Sequence, residues 1–200
     1  MAEHPAHLGN GGSIPTSPLQ FHIAPLGHKD AKAFVETWHY SHRMPTGKNI
    51  PFGVSRGGKL YATIVYGIGV NPYQAKFLGV ASVLEIKRMC RREPKEAFEL
   101  SRFIRLTAKM AQKEYPFDAI VAFADPEQGH EGTVYKAAGF RHEGLSNPEW
   151  HLLGADGVQR HRRYAFRYAR RKDISVAAAR EELGMVRVKT APKHRWVLRK

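Results

Sequence analysis

Apolar residues along this chain follow two rhythms, short continuous runs and spacings of three or four, and the two alternate from residue 19 onward. Continuous or alternating runs predict strands over Leu19 to Ile23, Phe52 to Ser55, Lys59 to Gly67, Val83 to Cys90, Ala119 to Phe123, Phe140 to Glu143 and Arg195 to Leu198. Ala33, Phe34 and Val35, with Asp30 in the first turn, predict a helix over Lys29 to Trp38. Leu100, Phe103, Ile104, Thr107 and Ala108 line one face of a longer helix. It should begin at Glu93-Pro94-Lys95-Glu96, run to about Gln112 and stop before Pro116. Thr133 to Ala138 predicts a short helix ended by Gly139, and Ser175 to Leu183 another. Arg56-Gly57-Gly58 and Gly154-Ala155-Asp156-Gly157 read as hairpin turns, and Asn71-Pro72-Tyr73 as a loop. Between Arg160 and Lys172, Tyr164, Phe166 and Tyr168 alternate with cationic or small residues, which predicts a strand with one buried face and one basic face.

The resulting order, β-α-β-β-β-α-β-α-β with an added β-β-α-β tail, predicts an α/β fold: a mixed central sheet flanked by helices on both sides. Residues 19–200 suit one domain that includes the basic C-terminal β-β-α-β region. Residues 1–18, rich in Gly, Pro, Ser and His without a period, predict a disordered lead.

Charge changes the picture from fold to partner. Lys and Arg number 32 against 18 Asp and Glu, a net charge of +14, which raises the odds of a polyanionic ligand. Arg163, Arg167 and Arg171 in the 160–172 block lie on a surface that suits a phosphate backbone. The single cysteine, Cys90, excludes an intrachain disulfide and a Cys-rich zinc site, and reads as a small buried core residue. No apolar run is long enough to span a bilayer, so the membrane is not the expected partner.

Candidate chemistry concentrates after the Ala119–Phe123 strand, in Ala124-Asp125-Pro126-Glu127-Gln128-Gly129-His130-Glu131-Gly132-Thr133-Val134-Tyr135. Open α/β sheets place ligand sites at the carboxyl ends of their strands. Asp125 reads there either as a turn cap or as a carboxylate that accepts or removes a proton, and Gly129 stands in a turn whose N–H groups could meet a phosphate. Tyr135 is placed as an acid, and His39 as a second base candidate, beside the aromatic Tyr40. Arg88 and Ser101 could bind a donor or a DNA phosphate, with a buried ion pair to Asp125 or Glu85 the alternative for Arg88. His39, His42, His130 and Asp125 could make a two-His, one-carboxylate face suited to iron.

The element order is similar to that of GNAT-type acyltransferases. Their pyrophosphate loop would fall at Arg88-Met89-Cys90-Arg91-Arg92-Glu93-Pro94-Lys95, which offers Arg91 and Arg92 but no glycines. More specifically, His39-Tyr40-Ser41, Phe52-Gly53-Val54, Glu85-Ile86-Lys87-Arg88, Ser101-Arg102-Phe103, residues 124–137 and Lys193-His194-Arg195 resemble the bacteriophage Mom DNA-modification proteins, from about Leu19 to the C-terminus. The resemblance implies a GNAT-like fold and a transferase that converts adenine in DNA to its N6-carbamoylmethyl (acetamido) derivative, so that phage DNA resists restriction endonucleases. It implies functional residues at His39, Tyr40, Arg88, Ser101, Asp125 and Tyr135, action in the cytoplasm of the infected host, and an acyl-CoA (acetyl-CoA) donor, and it raises an iron requirement. Asp125, His39 and Tyr40 would then converge on one extruded adenine. The competing readings are a GNAT-type N-acyltransferase for a protein or small amine, and a nucleic-acid-binding protein without chemistry.

Overall fold

The computed structural model describes residues 14–15, 21–68, 72–92, 99–161 and 163–200. Most of the 1–18 lead, Leu19 and the helix start at Glu93 to Glu96 lie outside the described residues. Two compact units divide the chain. Unit 1 comprises Met1–Phe123, Gly132–Glu143 and Arg195–Lys200, and unit 2 comprises Ala124–Glu131 and Gly144–His194.

The described elements run β1 (Ile14–Pro15), β2 (His22–Pro25), α1 (His28–Trp38), β3 (Asn49–Arg56), β4 (Lys59–Ile68), α2 (Pro72–Leu78), β5 (Val83–Arg91), α3 (Leu100–Glu114), β6 (Ala119–Ala124), α4 (Thr133–Ala137), β7 (Arg141–Leu145), β8 (Trp150–Leu153), β9 (Gln159–His161), α5 (Arg163–Lys172), α6 (Val176–Glu182), β10 (Val186–Lys189) and β11 (His194–Arg199). A single 3-10 turn, Pro126–Gln128, follows β6.

In unit 1 the mixed sheet has the order β1-β2-β3-β4-β5-β6-β11-β7. The β3–β4 hairpin closes over Gly57 and Gly58, both at positive φ. Two features of β5 shape the site. Its ladder with β4 shifts register between Val65 and Tyr66: Arg88 lies opposite Val65 and Ile86 opposite Tyr66, leaving Lys87 as the extra residue of a bulge. Its parallel ladder with β6 is registered from Val83–Ala119 to Ile86–Ala122, while β5 itself runs on along β4 to Arg91.

Strand alternation assigns the helices to faces. Phe34 and Val35 of α1 pack on Val65 and Cys90, with Trp38, Met44 and Leu60 around them. Tyr66, one residue on, points the other way, where its hydroxyl meets Thr107 of α3 at 2.8 Å. Tyr66, Ile86 and Ala122 are in register across three strands and share that α3 face, so Val121 belongs to the α1 face. Leu78 of α2 packs with Ala119, Val121 and Val197, which seats α2 on the α1 side of the sheet. The expected mixed sheet with helices on both sides is therefore present.

Unit 2 is built differently. β8 pairs with β9 and β10 in a small antiparallel sheet, and α5 packs beside α6. The 160–172 block is not the expected strand: Arg163–Lys172 is the helix α5. Its buried residues are Ala165 and Ala169, four apart on one helix face, while the aromatics that alternate every second residue are not the buried set. Arg163, Arg167 and Arg171 thus form an exposed row at helical spacing rather than a strand face. Two further elements, α2 at the expected loop and β10, were not signalled by periodicity.

Candidate functional site

Unit 1 gathers Tyr40, Arg88, Tyr135 and Tyr66 in one electrostatic neighbourhood. Tyr40 follows α1, which ends when the His39 N–H closes the last turn on the Val35 carbonyl and the backbone turns extended. Arg88 rises from β5 just past the bulge, on the α1 face. Its Nε donates to the Arg43 carbonyl at 3.1 Å and its Nη1 to the Lys87 carbonyl at 2.6 Å. These bonds hold the 40s segment against the strand. Two Arg88 bonds go to carbonyls, and Tyr40 and Glu85 both favour its charge. Burial, the larger influence, pulls its pKa below the ordinary arginine value.

Tyr135, buried in α4, lies on the other side of this group. Burial raises its pKa, and the nearby Tyr40 oxygen raises it further, so the phenol keeps its proton at any physiological pH. Tyr66 is raised in the same way, burial first and Tyr135 adding, with its hydrogen bond to Thr107 opposing. Tyr40 thus acts electrostatically on Arg88 from one sheet face and on Tyr135 from beyond it.

His39 is buried, and its ring lies 4.3 Å from that of Tyr40 at 31°. The Ser41 backbone N–H donates to His39 Nδ1 at 3.1 Å, and the Ser41 hydroxyl lies 2.9 Å from the same nitrogen. An N–H pointing at Nδ1 requires a lone pair there, so the neutral ring carries its proton on Nε2. His39 is thereby built to donate from Nε2, and the lone pair a base would need is already engaged.

The remaining donor-side candidates sit apart from this cluster. Ser101 is half-buried in the first turn of α3, and Arg91 is the half-buried last residue of β5. Beside it, Arg92 lies over the Trp38 ring at 5.6 Å, and its buried Nε has no hydrogen-bond partner. The remainder of the expected pyrophosphate loop, Glu93 to Lys95, lies outside the described residues. Cys90 is buried in the α1 core as expected, and burial pushes its thiol up to about 12. It remains a thiol rather than a nucleophile.

In unit 2 Asp125 does two jobs. One carboxylate oxygen accepts the Glu127 N–H at 3.1 Å, capping the 3-10 turn, and the other lies 3.2 Å from Lys193 Nζ. The cap reading is thus realised, together with an ion pair to Lys193. Glu127 in turn accepts the Ala191 N–H at 2.7 Å, so the 124–131 and 190–193 segments are tied twice. Lys193, quoted only as part of a weak motif, is the residue that sequence reading undervalued. Gly129 closes the turn in the left-handed conformation at φ 69°. Asp125 belongs to unit 2, while His39 and Tyr40 belong to unit 1.

Another residue passed over in sequence is Gly132, in unit 1. It precedes α4 at φ 87°, and a Cβ there would run into the Trp196 indole. No side chain can replace its hydrogen without moving α4 and Tyr135.

Iron finds no supporting ligand group here. Among the described residues no group of three or more His, Cys, Asp and Glu side chains could hold a metal ion. The offered ligands are spent locally: His39 Nδ1 on Ser41, His42 Nδ1 at 2.9 Å from the Glu36 carbonyl, and Asp125 on Lys193 and Glu127.

Known proteins resemble this chain at two levels. In fold, it is similar to an "IAA acetyltransferase" of Bacillus cereus, with a TM-score of 0.50 and 9% identity, covering 90% of this chain and 99% of that one. It is similar to a ribosomal-protein alanine N-acetyltransferase of Escherichia coli, with a TM-score of 0.50 and 10% identity, covering 90% and 93%. At these identities the likeness is one of fold, the GNAT acetyltransferase architecture. In sequence, it is 27% identical over 115 residues to the methylcarbamoylase Mom of Escherichia phage Mu, covering 55% of this chain and 48% of that protein. The match therefore spans about half the length of that relative. The Mom protein family matches residues 20–199, nearly all of the sequence, and the chain belongs to that family.

Proposed function

We propose that the chain is a DNA-modifying transferase that attaches a carbamoylmethyl group to the N6 amine of adenine and so shields phage DNA from restriction in the host cytoplasm. Family membership and the printed activity of the phage Mu relative support the class of reaction. The observation that carries the reading is the match of the Mom protein family over residues 20–199, with the family-matched Tyr40 packed on the buried His39 and Arg88 anchored to the Arg43 carbonyl.

The chemistry needs three things. Adenine N6 is a weak nucleophile because its lone pair is delocalised into the ring, and in duplex DNA it is also paired, so the base must be extruded and held. Tyr40, half exposed and braced by His39, offers an aromatic face for that. As the new N–C bond forms, the amine must lose a proton, a step for which Asp125, ion-paired with Lys193, has the carboxylate chemistry. The leaving group must gain a proton or shed charge. Tyr135 offers the leaving group a phenol O–H hydrogen bond while keeping its proton, and the Arg88 cation favours the developing negative charge. His39 is a donor from Nε2 that orients substrate rather than a base.

An acyl-CoA, when bound, would supply a two-carbon unit with coenzyme A as the leaving group. Attack at the thioester carbonyl alone gives an N6-acyl adenine, so the carbamoylmethyl product also requires attachment through the methyl carbon and an amide nitrogen from a second co-substrate. The residues fit such a donor: β5 continues past its last registered pair with β6, leaving backbone groups that an extended amide chain can meet. Arg91 and the orphaned Arg92 Nε lie at the end of that strand, and Ser101 opens the following helix. The exposed row Arg163, Arg167 and Arg171 on α5 supplies contacts for the DNA backbone.

Mass analysis of nucleosides from cells expressing the protein tests this reading. A heavier adenine nucleoside is expected, absent with Tyr135→Phe and Asp125→Ala. Only unmodified nucleosides, with folded protein present, would reject it. A second reading, N-acylation of a protein or small amine, draws on the fold alone, and an acyl-CoA assay that prefers such amines to DNA would favour it.

A further inference from the structure

We propose that Tyr73 and Phe77 of α2 form a base-stacking step that receives a nucleobase of the bound DNA, an assignment that rests on the DNA-modifying reading above. Large apolar side chains on a surface are expected singly, but here two aromatics lie one helical turn apart, Tyr73 76% and Phe77 60% exposed. A spacing of four puts them on one helix face, with a rise of about 6 Å between them.

The second ring is braced from beneath. The Arg195 guanidinium lies 4.1 Å from the centre of Phe77 and 5.9 Å from that of Phe123. Arg195 is itself buried, with Nη1 donating to the Glu143 carbonyl at 3.3 Å and Nε without a hydrogen-bond partner. Burying a cation in this way is costly, and stacking on two rings is its main return. The helix carrying the rings is anchored as well: Leu78 sits in the core with Val121 and Val197, and Arg199 Nη1 donates to the Leu78 carbonyl at 3.0 Å. A rigid ring with a cation on one side and solvent on the other is suited to stack a flat partner at low entropic cost.

Charge selects the occupant. The exposed Lys76 stands between the two aromatics in sequence, and the chain carries +14. A second copy would bring the same excess to the contact, whereas a nucleobase arrives with a phosphate. The step lies on the α1 side of the sheet, the side from which Arg88 rises. It would hold a base unstacked from the duplex while the target adenine is extruded.

Binding of a fluorescent single-stranded oligonucleotide, with an abasic version as control, tests the assignment. Phe77→Ala and Tyr73→Ala should each weaken binding roughly five- to hundredfold, as expected for loss of one stacked base. Phe77→Trp should retain it, and the salt dependence should not change, because no phosphate contact is removed. On the abasic strand the Ala variants should bind like the unaltered protein. Tyr73→Ala leaves the Arg195–Phe77 stack in place and decides the matter if Phe77→Ala fails to fold. Equal affinity for all forms overturns the proposal, as does lost affinity that tracks a changed sedimentation coefficient, which would mark a contact between copies. If no modified nucleoside forms but the variants still lose base-dependent affinity, the transferase reading falls and this one stands. The converse removes this one alone.

Discussion

The two units are held in order by different chemistry. Unit 1 buries large side chains completely: Tyr66, Phe21, Phe52, Phe103, Ile64 and Ile120 are all below 3% exposed. In unit 2 the buried hydrophobics are Ala124, Leu152, Ala165, Ala169 and Ala179, while Trp150, Val158, Phe166 and Val186 stand exposed. Alanines contribute little transfer free energy, so unit 2 depends instead on polar ties. Asp156 bonds Arg160 and the Val158 N–H, Glu182 bonds Tyr168 and Lys172, and Ser175 caps α6. One unit is a scaffold that can hold catalytic side chains still. The other is a charged surface whose long side chains remain available to a partner.

Truncation should separate the two most sharply. Phe103→Ala in α3 removes a fully buried ring and should lower the unfolding free energy by about 3–5 kcal/mol. Phe166→Ala on α5, where the ring is mostly exposed, should stay within about 0.5 kcal/mol. Urea unfolding measures both, and comparable losses would show that α5 is more deeply packed than its exposure indicates.

The same contrast explains what the sequence disclosed. Unit 1 was legible because large apolar residues carry the period: Ala119 to Phe123 could only be a buried strand, and Phe103, Ile104 and Thr107 could only be one face of a helix. In the 160–172 block the large residues misled. Tyr164, Phe166 and Tyr168 keep a period of two, but the residues facing inward are Ala165 and Ala169, too small to register as a pattern. Val186 and Val188 of β10 alternate too weakly to announce a strand. α2 starts at Pro72, and a proline beside an asparagine reads as a loop although proline is at home in a first helical turn. Of the site, His39, Tyr40, Arg88 and Tyr135 were legible as motif residues. The tautomer of His39 and the lysine against Asp125 depend on contacts that no spacing encodes.

A smaller effect is expected at Gly132, where the scaffold leaves room for no side chain. Gly132→Ala forces a left-handed residue to carry a Cβ against Trp196 and should cost about 2 kcal/mol, measured by thermal unfolding. It should also shift Tyr135 and reduce modification. A stable, fully active variant would mean that α4 can move without consequence.

Acid should act on unit 2 before unit 1. The Arg160 hydrogen bond, then the Val158 N–H, hold Asp156 below its usual 3.8, and the Tyr168 hydroxyl holds Glu182 below 4.5. A carboxyl group depressed in the folded state contributes stability that is present above its unfolded pKa and is lost as pH falls through the folded one. Amide exchange in α5, α6 and the β8–β9 hairpin should therefore quicken first as pH drops below 4.5. Among the described residues unit 1 has one such group, Asp118, lowered chiefly by the Ser82 N–H and hydroxyl, but its apolar core does not titrate. Asp156→Asn with Glu182→Gln should flatten the response, and an unchanged acid limb would place the sensitivity elsewhere.

The least effect on folding is expected from the exposed α5 row, and that is what makes it informative. Arg167→Ala should leave stability within about 0.5 kcal/mol, because the side chain makes no core contact and surface charges contribute little. If the row follows a phosphate backbone, losing one contact should lower the slope of log affinity against log salt by about 0.9 for duplex DNA. The loss should be the same for every sequence tested, since phosphates carry no base identity. Arg163→Ala and Arg171→Ala, one turn to either side, should behave alike. A loss confined to particular sequences would instead put α5 in contact with base edges and give this helix a part in choosing the sequence bound.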